Sequence, residues 1–168
     1  VKLSFTKEEK PLGTAGSLAL MPKPKEPFLV INGDVLTSLD FGKFMSFHKK
    51  QGADLSIAVR KVDHMLNMGV VVFNENNRVT DYLEKPVTTY FDSMGIYIHS
   101  PSGVAQIERD KYLDLPTLVH KLISKGMKVC SFTPGKVSHY YWIDMGQPAQ
   151  YDQANADFLK YRKHFLPE

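Results

Sequence analysis

A chain of 168 residues with 43% hydrophobic and 23% charged side chains can bury a real core and has an ordinary globular composition. Its formal charge of +3 is small and its lysines and arginines are scattered, which excludes the basic stripe of a nucleic-acid binder but suits anionic substrates such as phosphates. The single cysteine, Cys130, excludes a disulfide framework or cysteine-rich metal centre and predicts a reducing, cytoplasmic setting; no apolar run is long enough to span a membrane.

In chain order, KLSF (residues 2–5) reads as a short strand. The glycine-bearing turn LGTAG (residues 12–16) leads into a short helix over 15–20, which the proline-rich segment MPKPKEP stops. FLVING (residues 28–33) is a nearly continuous apolar run, as expected of a strand buried on both faces in a parallel sheet. A helix follows with Phe41, Phe44, Met45 and His48 on one face, Ser38 or Asp40 at its start and Gly52 at its end. DLSIAVRKV is the next strand. MGVVVFNENNRVTDYLEKP holds two extended runs about an Asn-rich turn, a hairpin signature, and SMGIYIHSP is a further strand.

The spacing of Leu115, Leu118, Val119, Leu122 and Ile123 predicts an amphipathic helix ended by Gly126. MKVCSFTP and HYYWIDMG read as two more strands, and a C-terminal helix opens at Pro148. Strands alternating with helices imply an α/β fold with crossover helices in a single domain over 1–168.

Several residues are candidates for chemistry. Asp34 follows a strand directly, where open α/β sheets bind ligands; its carboxylate either holds a divalent cation or caps the next turn. Asp144 also ends an apolar strand: either it simply starts the turn before the C-terminal helix, the reading favoured for this residue alone, or the two meet over one Mg²⁺, which typically takes one or two carboxylates plus substrate phosphates. Glu84 and Lys85 place an acceptor beside a cation, suited to sugar hydroxyls and a phosphate or to a surface ion pair. Gly69 either admits close approach of a ligand or marks a bulge. The six histidines show no metal-binding spacing and read mostly as surface or helix-face residues. Ser17 is not in a nucleophile elbow, Cys130 reads as core filler, and Tyr140, Tyr141 and Trp142 as packing for the sheet.

The segments EEKPLGTAGSLAL, FLVINGDVL, MGVVVFNENNRVTDYLEKP, SMGIYIHSP and WIDMGQPAQYDQA, in this order, resemble the sugar-phosphate nucleotidyltransferases (nucleotide-sugar pyrophosphorylases) over nearly the whole chain. The branch most resembled is that of mannose-1-phosphate guanylyltransferase and glucose-1-phosphate thymidylyl- or uridylyltransferase. The resemblance implies a Rossmann-like fold with a mixed, mainly parallel sheet and flanking helices. It implies transfer of a nucleoside monophosphate from a nucleoside triphosphate to a sugar 1-phosphate, with release of pyrophosphate. Leu12, Gly13, Thr14 and Gly16 would lie against the nucleobase and ribose. Asp34 and Asp144 would be Mg²⁺ ligands, Gly69 and Glu84 would contact sugar hydroxyls, and Lys85 would bind the sugar phosphate. Asp34, Lys85 and Asp144 would thus carry the catalysis.

Two departures stand out. Ser93 occupies the place of an Asn that helps hold the sugar in the family. The family's opening strand and GxGTRLxPLT…KP loop have no counterpart here. The expectation is that they precede Val1, that this chain is the C-terminal two-thirds of the family domain, and that alone it has weak turnover or none. A dimer mate would then cover the open sheet edge. The alternative is a non-catalytic regulatory module that binds nucleotide sugars. A metal-dependent glycosyltransferase ranks below both, because no D-x-D follows a strand.

Overall fold

The computed structural model describes residues 2–135 and 140–166. The glycine turn forms a single turn of helix, α1 (Gly13–Gly16), continued by a 3₁₀ turn (Ser17–Leu20). Strand β1 (Phe28–Ile31) follows, then the NGD turn and a three-residue strand, β2 (Val35–Thr37). Helix α2 (Phe41–Gln51) starts where the Asp40 carboxylate accepts a hydrogen bond from the Lys43 N–H at 2.9 Å and ends at Gly52, whose φ of 59° is left-handed. Ser38, the other candidate cap, instead accepts from the Tyr141 N–H.

Next come β3 (Leu55–Met65), the hairpin β4 (Val70–Phe73) and β5 (Val79–Leu83), and β6 (Val87–His99). A short α3 (Pro101–Val104) precedes α4 (Leu115–Ser124), capped by Asp114 accepting from the Thr117 N–H at 2.9 Å. Strands β7 (Val129–Phe132) and β8 (Trp142–Asp144) and helices α5 (Pro148–Lys160) and α6 (Arg162–Phe165) complete the order.

The central sheet has the order β1-β6-β3-β7. Strands β1, β3 and β7 run one way and β6 runs against them, so the sheet is mixed, with the β3–β7 pair its parallel ladder. Each face carries its own core. On one, Leu55, Tyr97, Leu118 and Leu122 pack with Ala15, Leu18 and Val104 beneath α4. On the other, Phe44 from α2 packs against Ala58, Met94, Ile96 and Ile98. Alternate residues of β3 and β6 supply the two cores, the two-residue period expected of strands covered on both sides.

Several expectations are corrected. Residues 2–5 form no strand; Leu3 and Phe5 are 75% and 93% exposed, because no described strand lies beside them to satisfy a ladder. β1 is half-buried rather than buried and, among the described residues, pairs only with antiparallel β6; Ile31 is exposed. Of HYYWIDMG only Trp142–Asp144 is a strand, and His139 lies outside the described residues. Cys130 is half-buried in β7.

Two of the histidines are core residues, whereas the six together read mostly as surface or helix-face positions. His48 of α2 is buried, with Nδ1 2.8 Å from Ser56 Oγ and Nε2 2.9 Å from Ser100 Oγ. Ser100 Oγ donates to the Ala53 carbonyl at 2.7 Å, so it accepts from His48 Nε2–H, and Ser56 donates to Nδ1. This neutral tautomer matches the lowering of the His48 pKa by burial. His99 of β6 is fully buried and neither ring nitrogen has a partner among the described residues. Burial, and then the nearby His48, push its pKa from 6.5 down to about 4.

Candidate functional site

Two short strands decide the site. β2 and β8 pair antiparallel in a two-stranded sheet of their own, with Val35 opposite Asp144 and Thr37 opposite Trp142. The Met145 N–H donates to the Asp34 carbonyl at 2.7 Å and extends the ladder past its end. This register sets Asp34 and Asp144 side by side although 110 residues separate them. Thr37 and Ser38 reinforce it: Thr37 Oγ1 donates to the Tyr141 carbonyl and the Ser38 N–H bonds to the same oxygen.

Both carboxylates are solvent-exposed and line one open cavity of about 610 Å³ with Arg60, Trp142 and Gln150. Asp34 makes no side-chain hydrogen bond among the described residues, so it does not cap the turn after it. Asp144 does set its turn: Oδ1 accepts from the Gly146 N–H at 2.8 Å, leaving its second oxygen open. Gly146 is also a cradle. A Cβ there would stand 2.9 Å from Asp144 Oδ1 and 3.8 Å from Asp34 Oδ2, occupying the space the two carboxylates share. Two oxygen ligands with room between them suit a hard divalent cation whose remaining ligands are water and phosphate. Among the described residues no cluster of three or more metal-ligating side chains exists, so a metal here would depend on such outside ligands.

The sheet core shapes the rest of the cavity. The Trp142 indole donates from Nε1 to the Met94 carbonyl of β6 at 2.8 Å, which fixes its ring. Arg60 projects from β3 over that ring, its guanidinium carbon 4.3 Å from the centroid. Neither residue stood out in the sequence as functional. The available signal was a cation placed in an otherwise apolar stretch of strand, LSIAVR.

The glycine turn packs against the segment that precedes α4. The Ala15 and Gly16 N–H groups both donate to the Leu113 carbonyl at 3.0 Å, and Leu12 is buried. Gly13 has φ 77°, and a Cβ on it would come 2.6 Å from the Leu113 oxygen; one on Gly16 would come 2.7 Å from the Lys111 oxygen. The glycines therefore let α1 dock against residues 111–113. Thr14 accepts from the Leu115 N–H and lines a second cavity of about 330 Å³. Asn32, Ser93, Tyr97 and His99 line it too, and Ser93 Oγ is 3.0 Å from the Tyr97 hydroxyl.

The structure thus groups Thr14 with Ser93, and Asp34 with Asp144. It does not bring Gly69, Glu84 or Lys85 to either cavity. Glu84 and Lys85 are exposed just past the β4–β5 hairpin and form no ion pair among the described residues, and Lys85 has a left-handed φ of 44°. At Gly69 the open space is taken by Tyr82, whose hydroxyl a Cβ would strike.

A family model described as "Nucleotidyl transferase" matches residues 1–161. The mannose-1-phosphate guanylyltransferase catalytic subunit beta of Dictyostelium discoideum is 32% identical over 174 residues, covering all of this chain and 47% of that protein. The mannose-1-phosphate guanyltransferase of Schizosaccharomyces pombe is 34% identical over 176 residues, with the same coverage of 100% and 47%. The chain therefore spans about half the length of these relatives. Among solved structures, HddC from Yersinia pseudotuberculosis, crystallised with GMP-PN, superposes with a TM-score of 0.58 at 25% identity, over 90% of this chain and 64% of that one.

Proposed function

The chain belongs to the nucleotidyl transferase family, and from that premise we propose that it is the part of a sugar-phosphate nucleotidyltransferase that supplies the metal-binding carboxylates and the acceptor side of the site. The reaction is attack by a phosphate oxygen of a sugar 1-phosphate on the α-phosphorus of a nucleoside triphosphate. One P–O bond forms, the bond to the β-phosphate bridge breaks, and pyrophosphate leaves.

One observation carries this reading: the β2–β8 register brings Asp34 and Asp144 together at the rim of one cavity. The residues fit Mg²⁺, which when bound would offset the crowded negative charge of the phosphates. Asp34 and Asp144 would hold it, and the glycine at 146 keeps the space between them clear. The fixed indole of Trp142 walls the cavity and restricts how a substrate can lie, which is positioning rather than covalent chemistry. Thr14, Asn32 and Ser93, which line the other cavity, would contact the nucleoside or sugar. The names of the relatives suggest a guanine nucleotide and mannose 1-phosphate. A cytoplasmic setting rests on the lone cysteine; among the described residues no helix is long and apolar enough to cross a membrane.

The separation of Glu84 and Lys85 from the carboxylates favours a second reading, in which this chain binds nucleotide sugars without turning them over. Thermal denaturation with GDP-mannose, with and without Mg²⁺, tests the first step for both. A ligand at a hundredfold excess over its Kd stabilises the fold by about 2.7 kcal/mol. The expected result is a Mg²⁺-dependent rise in Tm lost in Asp34→Asn and Asp144→Asn; a rise that survives both variants would remove the carboxylate site. Pyrophosphate release from GTP and mannose 1-phosphate then separates the two readings.

A further inference from the structure

Arg60 is the cationic side chain among the described residues lining the Asp34/Asp144 cavity. Its environment is unusual for a surface arginine. The guanidinium lies over Trp142 at 4.3 Å, and that ring is itself pinned to the Met94 carbonyl. Its Nε is buried and has no hydrogen-bond partner among the described residues. Its ion pair among the described residues, to Asp92 across the β3–β6 ladder, is 3.6 Å long, a contact of charge rather than a hydrogen bond.

A guanidinium held over an indole, with no hydrogen bond to its terminal nitrogens among the described residues, is pre-organised for a planar or tetrahedral oxyanion. Across the cavity stand two carboxylates that cannot be its partners in the reaction if they hold a metal. The ligand that satisfies both sides is a phosphoryl group, with some oxygens toward the metal ligands and others toward the guanidinium.

We propose that Arg60, stacked on Trp142, is a phosphate-binding residue that grips a phosphoryl group opposite Asp34 and Asp144. This deepens the reading of the site given above and rests on it for the identity of the ligand. It also supplies a cation that Lys85, remote from the cavity, does not. The phosphoryl group has two sources, the nucleoside triphosphate or the sugar 1-phosphate, and the test separates them.

Trp142 is the only tryptophan in the chain, so its emission reports directly on the site. The full chain is titrated with GTP, with mannose 1-phosphate and with inorganic pyrophosphate, each with and without Mg²⁺, and fluorescence is followed. Arg60→Gln keeps a planar polar head without charge, and Arg60→Lys keeps charge without the fork. Asp92→Asn removes the ion pair but leaves Arg60 intact. Urea unfolding of each variant monitors the fold.

A charge-assisted contact to phosphate predicts about 10- to 100-fold weaker binding in Arg60→Gln for at least one ligand. Arg60→Lys should fall between, and Asp92→Asn should bind as well as the parent or better. The ligand whose affinity drops identifies the source of the phosphoryl group. Unchanged affinities in Arg60→Gln, with binding lost in Asp34→Asn, would overturn the role of Arg60 and leave the carboxylate site standing. Equal losses in Arg60→Gln and Asp92→Asn, tracking their urea midpoints, would reduce Arg60 to a structural ion pair. Pyrophosphate binding that needs Arg60 but neither Mg²⁺ nor Asp34 would sustain the anion site and refute the metal-dependent reading. No binding of any of the three by the parent chain would overturn both.

Discussion

Acidification tests the buried His99 directly. Its imidazole is fully buried between Phe28 and Tyr97, with neither nitrogen hydrogen-bonded among the described residues. Burial, then the neighbouring His48, lower its pKa from 6.5 to about 4. Above pH 6.5 neither the folded nor the unfolded chain carries the proton, and this residue gives stability no pH slope. As pH falls below 6.5 the unfolded chain takes up a proton that the folded chain refuses, so stability declines. The decline is about 1.4 kcal/mol for each unit of pH and ends near the folded value, a total of about 3 kcal/mol. His48, lowered in the same direction by burial, adds to the effect. The assay is urea unfolding at steps from pH 7.5 to 4.5, on the parent and on His99→Phe. The variant keeps a ring against Phe28 and removes the proton site, and the adjoining cavity offers room for the added volume. At neutral pH it should be at least as stable, since an unpartnered buried polar group costs about 1–3 kcal/mol. Between pH 6.5 and 4.5 the gap between variant and parent should widen by about 2–3 kcal/mol. A gap that stays constant with pH would refute the argument, because it would mean that His99 titrates alike in both states.

Other outcomes follow from local geometry. Asp114→Ala removes the acceptor for the Thr117 N–H and should lower stability by about 1 kcal/mol, read as a urea midpoint, with Asp114→Asn largely restoring it. Gly13→Ala places a Cβ 2.6 Å from the Leu113 carbonyl at a left-handed φ, and should cost at least about 2 kcal/mol and loosen α1, read by amide exchange at Ala15 and Gly16. Asp34→Asn and Asp144→Asn alter exposed carboxylates and should change the Tm of the free protein little, within about 0.5 kcal/mol, so that any loss of ligand response belongs to the site and not to the fold.

What the sequence could convey depended on whether the signal was local. Asp40 and Asp114 cap helices that their own neighbours specify, and the Leu118/Leu122 stripe points into the core as its spacing requires. The hairpin β4–β5 was equally plain, because the Asn-rich turn and its flanking runs lie within a few residues. The pairing of Asp34 with Asp144 was not readable from spacing. It depends on β2, three residues long and hidden behind the NGD turn, meeting a strand more than a hundred residues later. Their places at the ends of two apolar runs raised the meeting as a possibility and the resemblance assigned it; the register is the physical reason they meet. Residues 2–5 failed as a strand because alternation cannot form a ladder without a neighbour. Arg60 was passed over because its importance lies in the indole beneath it, a contact between strands from distant parts of the chain. His99 was misjudged because nothing in its neighbours' identities marks an imidazole that is buried without partners.

The β2–β8 register also bears on the birth of the protein. Asp34 emerges from the ribosome long before the strand that delivers Asp144, and translation at roughly 5–20 residues per second separates them by about 5–20 s. Through that interval the nascent chain holds one of the two carboxylates and an unmatched three-residue strand. Release of a chain ended between Phe132 and Trp142 would leave the sequence of all four main-sheet strands in place and the carboxylate pair unmade. The pair is therefore completed late, by the arrival of the last strand.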